Sequence, residues 1–521
     1  MSWQAAVDEI ERRKKLAYQM GGGERVERQH REGKYTVRER IERLLDPGTF
    51  EEVGVLAGWW AEGEGGRTFV PQPYVAGMGK INGRDVAVGG EDFTVRGGSA
   101  AGGRGSFTRR GKQQFLMDLA LEYRIPLITF QDGAGANVAS YEHAGGMYIP
   151  HVPAFYHNMQ VMNAVPVVRA VTGPAAGAVA AHTPMAHLVV MSKGRGQLFA
   201  AGPPVVRRAL GENVTKEELG GWDVHCRNGV ADLAGESEDE CFDLIRRWLG
   251  YFPQNVWEAP PHLPPQDSPE RRDEELLSIV PTNRRQPYDM RKLIGHIVDR
   301  DSVFEVQPLY AQNLITCYAR LNGHAVGVVA NNPQHLGGAL DAEAADKQCR
   351  FVEMCDYFHI PLLIFADIPG FMIGTKAERA GTLRKGMRLA YVLNQLTVPM
   401  ISLMIRKAYG MGGTSTGNPP RLNLRIGWPS GDWGSIPLEG GVDAAFRRDI
   451  ESAPDPAARR RELEERFIKS RGTPFNTAES FDVEMLIDPR ETRPKMVRWL
   501  EAAMHVIKHE LGPKAKIGAR P

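Results

Sequence analysis

Short apolar runs alternate along this chain with longer stretches in which apolar and polar residues are mixed. The clearest runs are residues 125–130 and 360–365, and each leads within two residues to an aspartate, Asp132 or Asp367. A short apolar run is typical of a strand buried on both faces, whereas the mixed stretches favour helices. The alternation therefore predicts an α/β architecture with largely parallel strands.

The second half of the chain repeats the motifs of the first half in the same order. The period is far too long for a solenoid of short repeats. Because the order is kept from end to end, we predict a tandem duplication of one α/β unit. The paired segments are 34–38 and 287–291, 80–83 and 320–323, 96–100 and 336–340, 125–132 and 360–367, and 173–178 and 408–413.

A proline-rich, charged stretch covering residues 258–285 separates the two copies. Such a composition is typical of an extended connection between domains. We therefore place the domain boundary near residue 270. This gives an N-terminal domain of residues 1–269 and a C-terminal domain of residues 270–521.

Composition excludes several classes of function. Lys plus Arg number 64 and Asp plus Glu number 63, so the net charge of +1 gives no indication of nucleic-acid binding, and we predict no nucleic-acid partner. The five cysteines include no CxxC pair, which argues against a zinc ribbon, and we predict no metal. Scattered cysteines in a large chain are typical of a reducing compartment.

The termini and apolar runs predict no membrane partner. The N-terminus carries charged residues where a signal peptide has an apolar stretch, and no apolar run approaches the roughly 20 residues that span a bilayer. We predict a cytoplasmic protein, or one of the mitochondrial matrix if the source is eukaryotic.

Each copy carries a glycine-rich loop after a strand that opens with Val-Pro, at residues 173–178 and 408–413. Glycines there either make a sharp turn or let backbone N–H groups at a helix start approach a ligand. Two such loops at equivalent positions favour the second interpretation. Amides of this kind stabilise an oxyanion such as a thioester enolate.

Side chains offer fewer candidates. The basic cluster Arg104, Arg109, Arg110 and Lys112 either grips the phosphates of a nucleotide-bearing substrate or forms a solvated surface loop. No GxSxG elbow is present, and the segment from Gly105 to Lys112 fails the spacing of a P-loop. Chemistry driven by oxyanion stabilisation suits a chain without an evident nucleophile.

The motifs resemble the carboxyltransferase family that includes the beta subunits of propionyl-CoA and methylcrotonyl-CoA carboxylases, over nearly the whole chain. Each motif alone is weak, but their number and order carry the resemblance. The matching segments are 21–25, 29–30, 33–34, 38–41, 44–48, 92–95, 217–221, 337–341, 367–371, 406–410, 475–479 and 487–494.

The resemblance implies a crotonase (ClpP/crotonase-like) fold in each half. It implies that the N-terminal half binds acyl-CoA, that the C-terminal half receives carboxybiotin, and that the active site forms between halves of different subunits. It further implies two pairs of backbone amides, one for the thioester oxygen and one for the biotin ureido oxygen. The implied residues are Gly177 and Ala178 for the first pair and Met411 and Gly412 for the second. For substrate binding we predict Gly135, Ala136, Arg104 and Gly410.

The resemblance also implies partners and cofactors. Coenzyme A enters as part of the substrate, and biotin is the cofactor. Because no Met-Lys-Met sequence marks a biotinylation site, biotin is expected on a separate chain, with a biotin carboxylase and a biotin carboxyl carrier subunit as partners. Family members are typically hexamers, arranged as a trimer of dimers.

The chain departs from the family pattern at several positions. Ala178 replaces the second glycine of the first loop, and Thr414 stands where an aspartate is usual. Gly135-Ala136-Asn137 replaces Gly-Gly-Ala-Arg, and residues 102–108 resemble an insertion. We therefore expect an acyl group other than propionyl or acetyl.

Two other functions stay open from the sequence. The same site run in reverse serves a decarboxylase subunit that passes a carboxyl group to biotin. Alternatively, Ala178 and Met411 mark loops that have lost activity in a scaffold subunit.

Overall fold

The computed structural model describes residues 2–63, 66–98, 111–135, 147, 154–417, 420–422 and 424–514. The chain divides into two compact units. Unit 1 consists of the residues up to Glu258 together with those from Gly512 onwards, and unit 2 is Ala259–Leu511. Residues 259–269 thus belong to unit 2, where the Leu263 N–H donates to Gly323 O at 3.0 Å.

Unit 1 contains one mixed sheet of eight strands, in the order β1-β4-β5-β6-β7-β8-β10 with β9 paired to β7, and a separate antiparallel pair, β2–β3. The hairpin β4–β5 is antiparallel, and the pairs from β5 to β10 are parallel. The strands are β1 (Glu51–Glu52), β2 (Gly58–Gly63), β3 (Gly66–Pro71), β4 (Tyr74–Ile81), β5 (Arg84–Glu91), β6 (Leu127–Gly133), β7 (Val167–Ala176), β8 (Leu188–Ser192), β9 (Gln197–Phe199) and β10 (Leu233–Gly235). The described α-helices are Gln4–Tyr18, Gly23–Arg31, Val37–Leu44, Lys112–Glu122, Ala154–Met162, Ala178–His182, Pro203–Leu210, Lys216–Gly220, Trp222–Arg227 and Glu238–Leu249.

Unit 2 repeats this sheet, with the order β11-β12-β13-β14-β15-β16-β18 and with β17 paired to β15. Its strands are β11 (Phe304–Val306), β12 (Leu314–Leu321), β13 (His324–Asn331), β14 (Leu362–Ile368), β15 (Met400–Tyr409), β16 (Leu424–Gly427), β17 (Asp432–Gly434) and β18 (Met485–Leu486). The described α-helices are Met290–Ile297, Ala342–Tyr357, Thr375–Arg379, Thr382–Leu393, Gly410–Gly413, Leu438–Ala445, Arg447–Ser452, Pro456–Arg471, Pro474–Glu479 and Thr492–Ile507. Short 3₁₀ helices occur at Arg96–Gly98, Glu274–Leu277, Leu336–Gly338, Thr414–Thr416 and Pro489–Glu491.

The two sheets correspond strand by strand, which confirms the predicted duplication of an α/β unit. Even the irregularities are shared: the register between the central pair of strands shifts at Gln131/Gly133 in unit 1 and at Ala366/Ile368 in unit 2. The predicted apolar runs form the central strands β6 and β14, and every residue of both strands is buried. None of the helices in the described part of the chain is long and apolar enough to cross a membrane.

An aspartate caps the tight hairpin turn of each unit. Asp46 accepts the N–H groups of Asn82 and Gly83 at 3.0 and 2.8 Å, and Asp299 accepts those of Asn322 and Gly323 at the same distances. The asparagine and glycine of each turn have positive φ, as a type I′ turn requires. The carboxylates thus satisfy turn amides that the sheet leaves unpaired.

The two caps differ in burial. Asp299 is buried and also accepts a hydrogen bond of 2.7 Å from the Arg493 guanidinium, which is itself buried. Asp46 is half-buried and holds its turn near solvent.

We therefore expect Asp299→Ala to lower the free energy of unfolding by about 3–5 kcal/mol, because it leaves the Arg493 charge buried without its carboxylate. Asp46→Ala is the matched control and removes two partly exposed hydrogen bonds, at about 1 kcal/mol each. Urea unfolding of both variants, followed by circular dichroism, measures the difference. Equal losses would contradict the role assigned to the Arg493 ion pair.

Candidate functional site

Each unit has the same junction of strand, glycine and helix at the predicted loop. In unit 1, β7 ends at Ala176, Gly177 takes φ 60° and ψ −126°, and helix Ala178–His182 begins. In unit 2, β15 ends at Tyr409 and Gly410, with φ 52°, starts helix Gly410–Gly413. The duplication therefore pairs Gly177 with Gly410 and Ala178 with Met411, so segment 173–178 corresponds to 406–411, two residues before the segment 408–413 that the sequence predicted.

A second backbone segment packs against each loop. A Cβ on Gly135 would lie 2.7 Å from Ala176 O, and a Cβ on Gly177 would lie 4.0 Å from Gly135 Cα. In unit 2, a Cβ on Gly412 would lie 2.7 Å from Gly370 Cα. The predicted residue Gly135 thus lies directly against the first loop, and Gly370 is its counterpart at the second.

The loop amides are available to a ligand. Among the residues that the structure describes, the N–H groups of Gly177, Ala178, Met411 and Gly412 donate to no backbone acceptor. They stand where a strand passes into a helix, and the first N–H groups of a helix carry a partial positive charge. Two such donors can hold a developing oxyanion or a carbonyl-type oxygen.

A buried carboxylate lies beneath the second loop. Asp367, at the end of β14, accepts the Arg406 guanidinium at 3.0–3.1 Å through Oδ2 and the Lys407 N–H at 3.0 Å through Oδ1. Arg406 also donates to Gln286 O and lies over the Tyr288 ring, 4.9 Å from its centroid. Burial, with Asp367 nearby, raises the pKa of Tyr288 well above its ordinary value. Both carboxylate oxygens of Asp367 are therefore paired.

The equivalent carboxylate of unit 1 is met by different cations, Arg40 and the buried Lys34, whose Nζ lies 3.7 Å from Asp132 Oδ2. Asp132 Oδ2 accepts hydrogen bonds of 3.0 Å from Arg40 and from Gln29. Arg40, fully buried, also binds Glu238 at 2.6 Å and donates to Thr172 O at 3.1 Å. Burial alone would lower the pKa of Arg40, but the two carboxylates outweigh it and the pKa is raised.

Alignment of the two units explains the exchange of cations. Gly173 occupies the strand position of Arg406, and the space is filled by the Asp132 carboxylate: a Cβ on Gly173 would lie 2.0 Å from Asp132 Oδ1. Pro174 occupies the position of Lys407 and has no N–H to donate. Asp132 Oδ1 accordingly has no hydrogen-bond partner among the described residues.

The sequence pattern indicated only part of this arrangement. It drew attention to the aspartate that ends each repeated strand. Nothing in it singles out Arg40, because the corresponding helix position in unit 2 is the buried Leu293. The usable signal was the difference between Gly173 and Arg406 at equivalent strand positions. It indicates that the aspartate of unit 1 needs a cation from elsewhere in the chain.

The remaining predicted residues divide into two groups. Ala136 and Arg104 lie outside the described residues, as do Asn137, Arg109, Arg110 and residues 102–108. Thr414 is described, and its hydroxyl donates to Met411 O at 2.6 Å, so it closes the second loop. Lys112 begins helix Lys112–Glu122, and burial lowers its pKa to about 8.

Other acid–base candidates are weak. His182 ends the first-loop helix, and burial, together with Arg169, lowers its pKa to about 3, so the ring is neutral at physiological pH. Within the described residues, no group of three His, Cys, Asp or Glu side chains is placed to hold a metal ion. The backbone amides remain the groups best placed for chemistry.

Comparison with known proteins gives consistent matches over the whole chain. The family model described as Carboxyl transferase domain matches residues 28–516. The propionyl-CoA carboxylase carboxyltransferase subunit of Haloferax mediterranei is 36% identical over 503 residues, covering 95% of this chain and 96% of that protein. The methylmalonyl-CoA decarboxylase alpha subunit of Veillonella parvula is 34% identical over 506 residues, covering 96% of each.

A solved structure of transcarboxylase 12S, described as a hexamer assembly with methylmalonyl-coenzyme A and methylmalonic acid bound, has a TM-score of 0.88 and 34% identity. The match covers 100% of this chain and 99% of that one. The crotonase-like fold expected for each half is thereby confirmed.

The contact between Gly173 and Asp132 gives a test of the buried arrangement. Gly173→Ala is expected to lower the free energy of unfolding by about 1–3 kcal/mol, because the new Cβ overlaps the carboxylate. Gly413→Ala is the control: its Cβ would meet nothing within 4 Å and its backbone is helical, so a gain of up to about 1 kcal/mol is expected. Thermal unfolding compares them, and a neutral Gly173→Ala would show that the carboxylate is free to move.

Proposed function

This chain belongs to the carboxyl transferase family, and from that premise we propose how its two halves divide the work of a biotin-dependent acyl-CoA carboxylase. It is an acyl-CoA carboxyltransferase with two crotonase-like units. Unit 1 binds the acyl-CoA and unit 2 receives the carboxylated biotin. The observation that carries this assignment is the duplicated junction, which gives each unit a pair of helix-start amides. The pair of unit 2, Met411 and Gly412, begins one residue after Gly410, the position equivalent to Gly177.

In unit 1, the amides of Gly177 and Ala178 hold the thioester oxygen. Loss of the substrate's alpha proton places negative charge on that oxygen, and two fixed N–H donors stabilise it more in the transition state than in the ground state. The enolate carbon then bonds to carbon dioxide. Gly135 keeps the site narrow, since its backbone lies against Gly177.

In unit 2, the amides of Met411 and Gly412 hold the ureido oxygen of biotin. These residues fit such a group, because a neutral carbonyl oxygen needs donors and both amides lack an acceptor among the described residues. When bound there, carboxylated biotin would supply carbon dioxide and a base for the alpha proton. Gly410 also binds the substrate, at the turn of φ 52° that precedes these two amides.

We propose that biotin arrives on a separate carrier chain, charged by a biotin carboxylase, and that the protein acts in the cytoplasm. We also propose a homo-hexamer built as a trimer of dimers. An exposed apolar stripe supports an assembly: Leu383, Met387 and Tyr391 are 63%, 37% and 62% exposed and lie four residues apart on helix Thr382–Leu393. Such a stripe on a helix is a surface that a further subunit would cover.

The reverse reaction is the second candidate, since a decarboxylase subunit matches this chain nearly as well as a carboxylase subunit does. The site chemistry is the same in both directions. The partner chains therefore decide the direction of carboxyl transfer. In a decarboxylase, the carboxyl group passes from the acyl-CoA to biotin.

One experiment separates the possibilities. The purified chain is incubated with a carboxylated biotinyl carrier and a panel of acyl-CoA thioesters, and products are identified by mass spectrometry. A carboxylated acyl-CoA supports the forward function. Carrier carboxylation from a carboxylated acyl-CoA alone supports the decarboxylase, and no transfer in either direction supports a scaffold subunit and overturns the proposal.

Gly177→Val tests the first amide pair. Valine disfavours the positive φ of 60°, so the loop changes conformation and its amides move. We expect kcat to fall by at least about 10²–10³-fold, the effect of losing one oxyanion donor. The matched control is Gly211→Val, which also places valine at a positive φ, 76°, at the exposed end of helix Pro203–Leu210. We expect Gly211→Val to lose stability but keep kcat. Unchanged kcat in Gly177→Val would remove this loop from the mechanism.

Ala178→Gly tests the substrate range. The change restores the glycine that is usual in the family's first loop, and it is expected to raise kcat/KM for shorter acyl groups relative to longer ones, by about tenfold for each methylene discriminated. Competition between acetyl-CoA and longer acyl-CoAs, read by mass spectrometry, measures the ratio. An unaltered profile would show that Ala178 does not shape the pocket.

A further inference from the structure

A glutamate that the mechanism does not use lies beneath the first loop. Glu91 is the last residue of β5 and is only 4% exposed. Its carboxyl group accepts hydrogen bonds from its own backbone N–H and from that of Asp132. The other oxygen, Oε2, is buried and has no partner among the described residues. An ionised carboxylate would leave Oε2 buried without a donor.

The equivalent position in unit 2 is Asn331, the last residue of β13. Its side chain accepts the Asp367 N–H at 3.2 Å and donates to Gly338 O at 3.3 Å. Asparagine therefore ties a strand end to the neighbouring 3₁₀ turn by accepting on one side and donating on the other. A carboxylic acid does the same only when it is protonated.

The two turns have the same surroundings. A Cβ on Gly98 would lie 2.7 Å from Asp132 O and 3.0 Å from Glu91 Cβ. A Cβ on Gly338 would lie 2.6 Å from Asp367 O and 3.2 Å from Asn331 Cβ. The Gly98 turn thus faces Glu91 as the Gly338 turn faces Asn331.

Glu91 is linked to the first loop through Gly133. A Cβ on Gly133 would lie 3.3 Å from Glu91 Cγ and 3.3 Å from Val179 Cγ2. The side chains of Glu91 and of Val179, the second residue of the helix that carries the Ala178 amide, therefore both pack against the same face of Gly133. A shift of Glu91 is passed to that helix, because packed backbone cannot absorb it locally.

Three strands place titratable groups around Glu91: Tyr74 on β4, Asp132 on β6 and Arg169 on β7. Burial raises the pKa of Glu91 to about 7, against the lowering effects of its backbone hydrogen bonds and of Arg169. Arg169 donates instead to Thr129 Oγ1 at 2.7 Å and to Asn158 Oδ1 at 2.6 Å. Burial also raises the pKa of Tyr74, which stays neutral.

We propose that Glu91 is a positioning residue for the first loop and acts as the neutral acid, its hydroxyl donating to the Gly98 turn as the Asn331 amide donates to the Gly338 turn. The proposal rests on the proposed function for its kinetic readout only. Loss of the proton to solvent leaves a buried carboxylate facing the turn, loosens Gly133 and lets the Gly177 and Ala178 amides move.

The pH dependence has a definite sign. The folded state raises the pKa of Glu91 above its ordinary value of 4.5, so folding favours the protonated form. The contribution to stability is complete below about pH 4.5 and is lost as pH rises through about 7. Activity that needs the neutral acid falls about tenfold per pH unit above that pKa.

The central experiment compares the wild type with Glu91→Gln, which keeps a neutral donor and acceptor at every pH. We expect kcat/KM of the wild type to fall above neutral pH and that of Glu91→Gln to lack this fall. The difference in Tm between them should widen as pH rises. Asn331→Asp is the matched variant in unit 2. It should make kcat/KM fall further with rising pH, because the new carboxyl group lies beside the turn that adjoins the second loop.

Infrared spectroscopy of the wild-type protein determines the protonation state of Glu91. It requires neither an activity assay nor an unfolding experiment. A buried protonated carboxylic acid gives a carbonyl band that Glu91→Gln removes and that fades as pH rises. That band supports the proposal even if no carboxyl transfer is found. Identical pH profiles of wild type and Glu91→Gln, or no titrating acid band in the wild type, would overturn it.

Discussion

A buried carboxylate at the end of the central strand is the constraint on which both candidate loops depend. Asp132 and Asp367 carry charge into the interior, where an unpaired carboxylate costs several kcal/mol. Each is therefore met by a cation and by one further donor, the Lys407 backbone N–H at Asp367 and the Gln29 side chain at Asp132. Both loops therefore adjoin strands that are held by buried ion pairs.

The two units meet this requirement in different ways. In unit 2 the guanidinium of Arg406 comes from the strand that leads into the loop. In unit 1 that strand carries Gly173, and Arg40 reaches the carboxylate from a separate helix, with Glu238 as its second partner. Duplication has preserved the sheet and the loop geometry while the groups that stabilise them have changed. The loops also differ, since Ala178 is small and Met411 is 48% exposed.

Much of the fold followed from sequence, and the site followed in part. The repeated motifs predicted the duplication, and the glycines at 177 and 410 marked both turns. The source of the cation could not be predicted, because Arg40 acts across 92 residues of sequence and its counterpart is an ordinary core leucine. The role of Glu91 was equally hidden, since burial and a missing donor are properties of the folded chain. Ala136 and Arg104 lie outside the described residues and stay predictions.

The exchange of cations also restricts the evolutionary route between the two units. From an ancestor like unit 2, losing the strand arginine first would strand a carboxylate in the core, whereas gaining the helix arginine first would place two guanidinium groups beside one aspartate. When both arginines are present, Glu238 balances the additional charge, because its carboxylate lies 2.6 Å from the Arg40 guanidinium. Every buried charge therefore stays paired only if the substitutions that introduce Glu238 and Arg40 come first and the replacement of the strand arginine by Gly173 comes last. A present-day chimera that exchanges the two strand segments without their helices would reproduce the unpaired state.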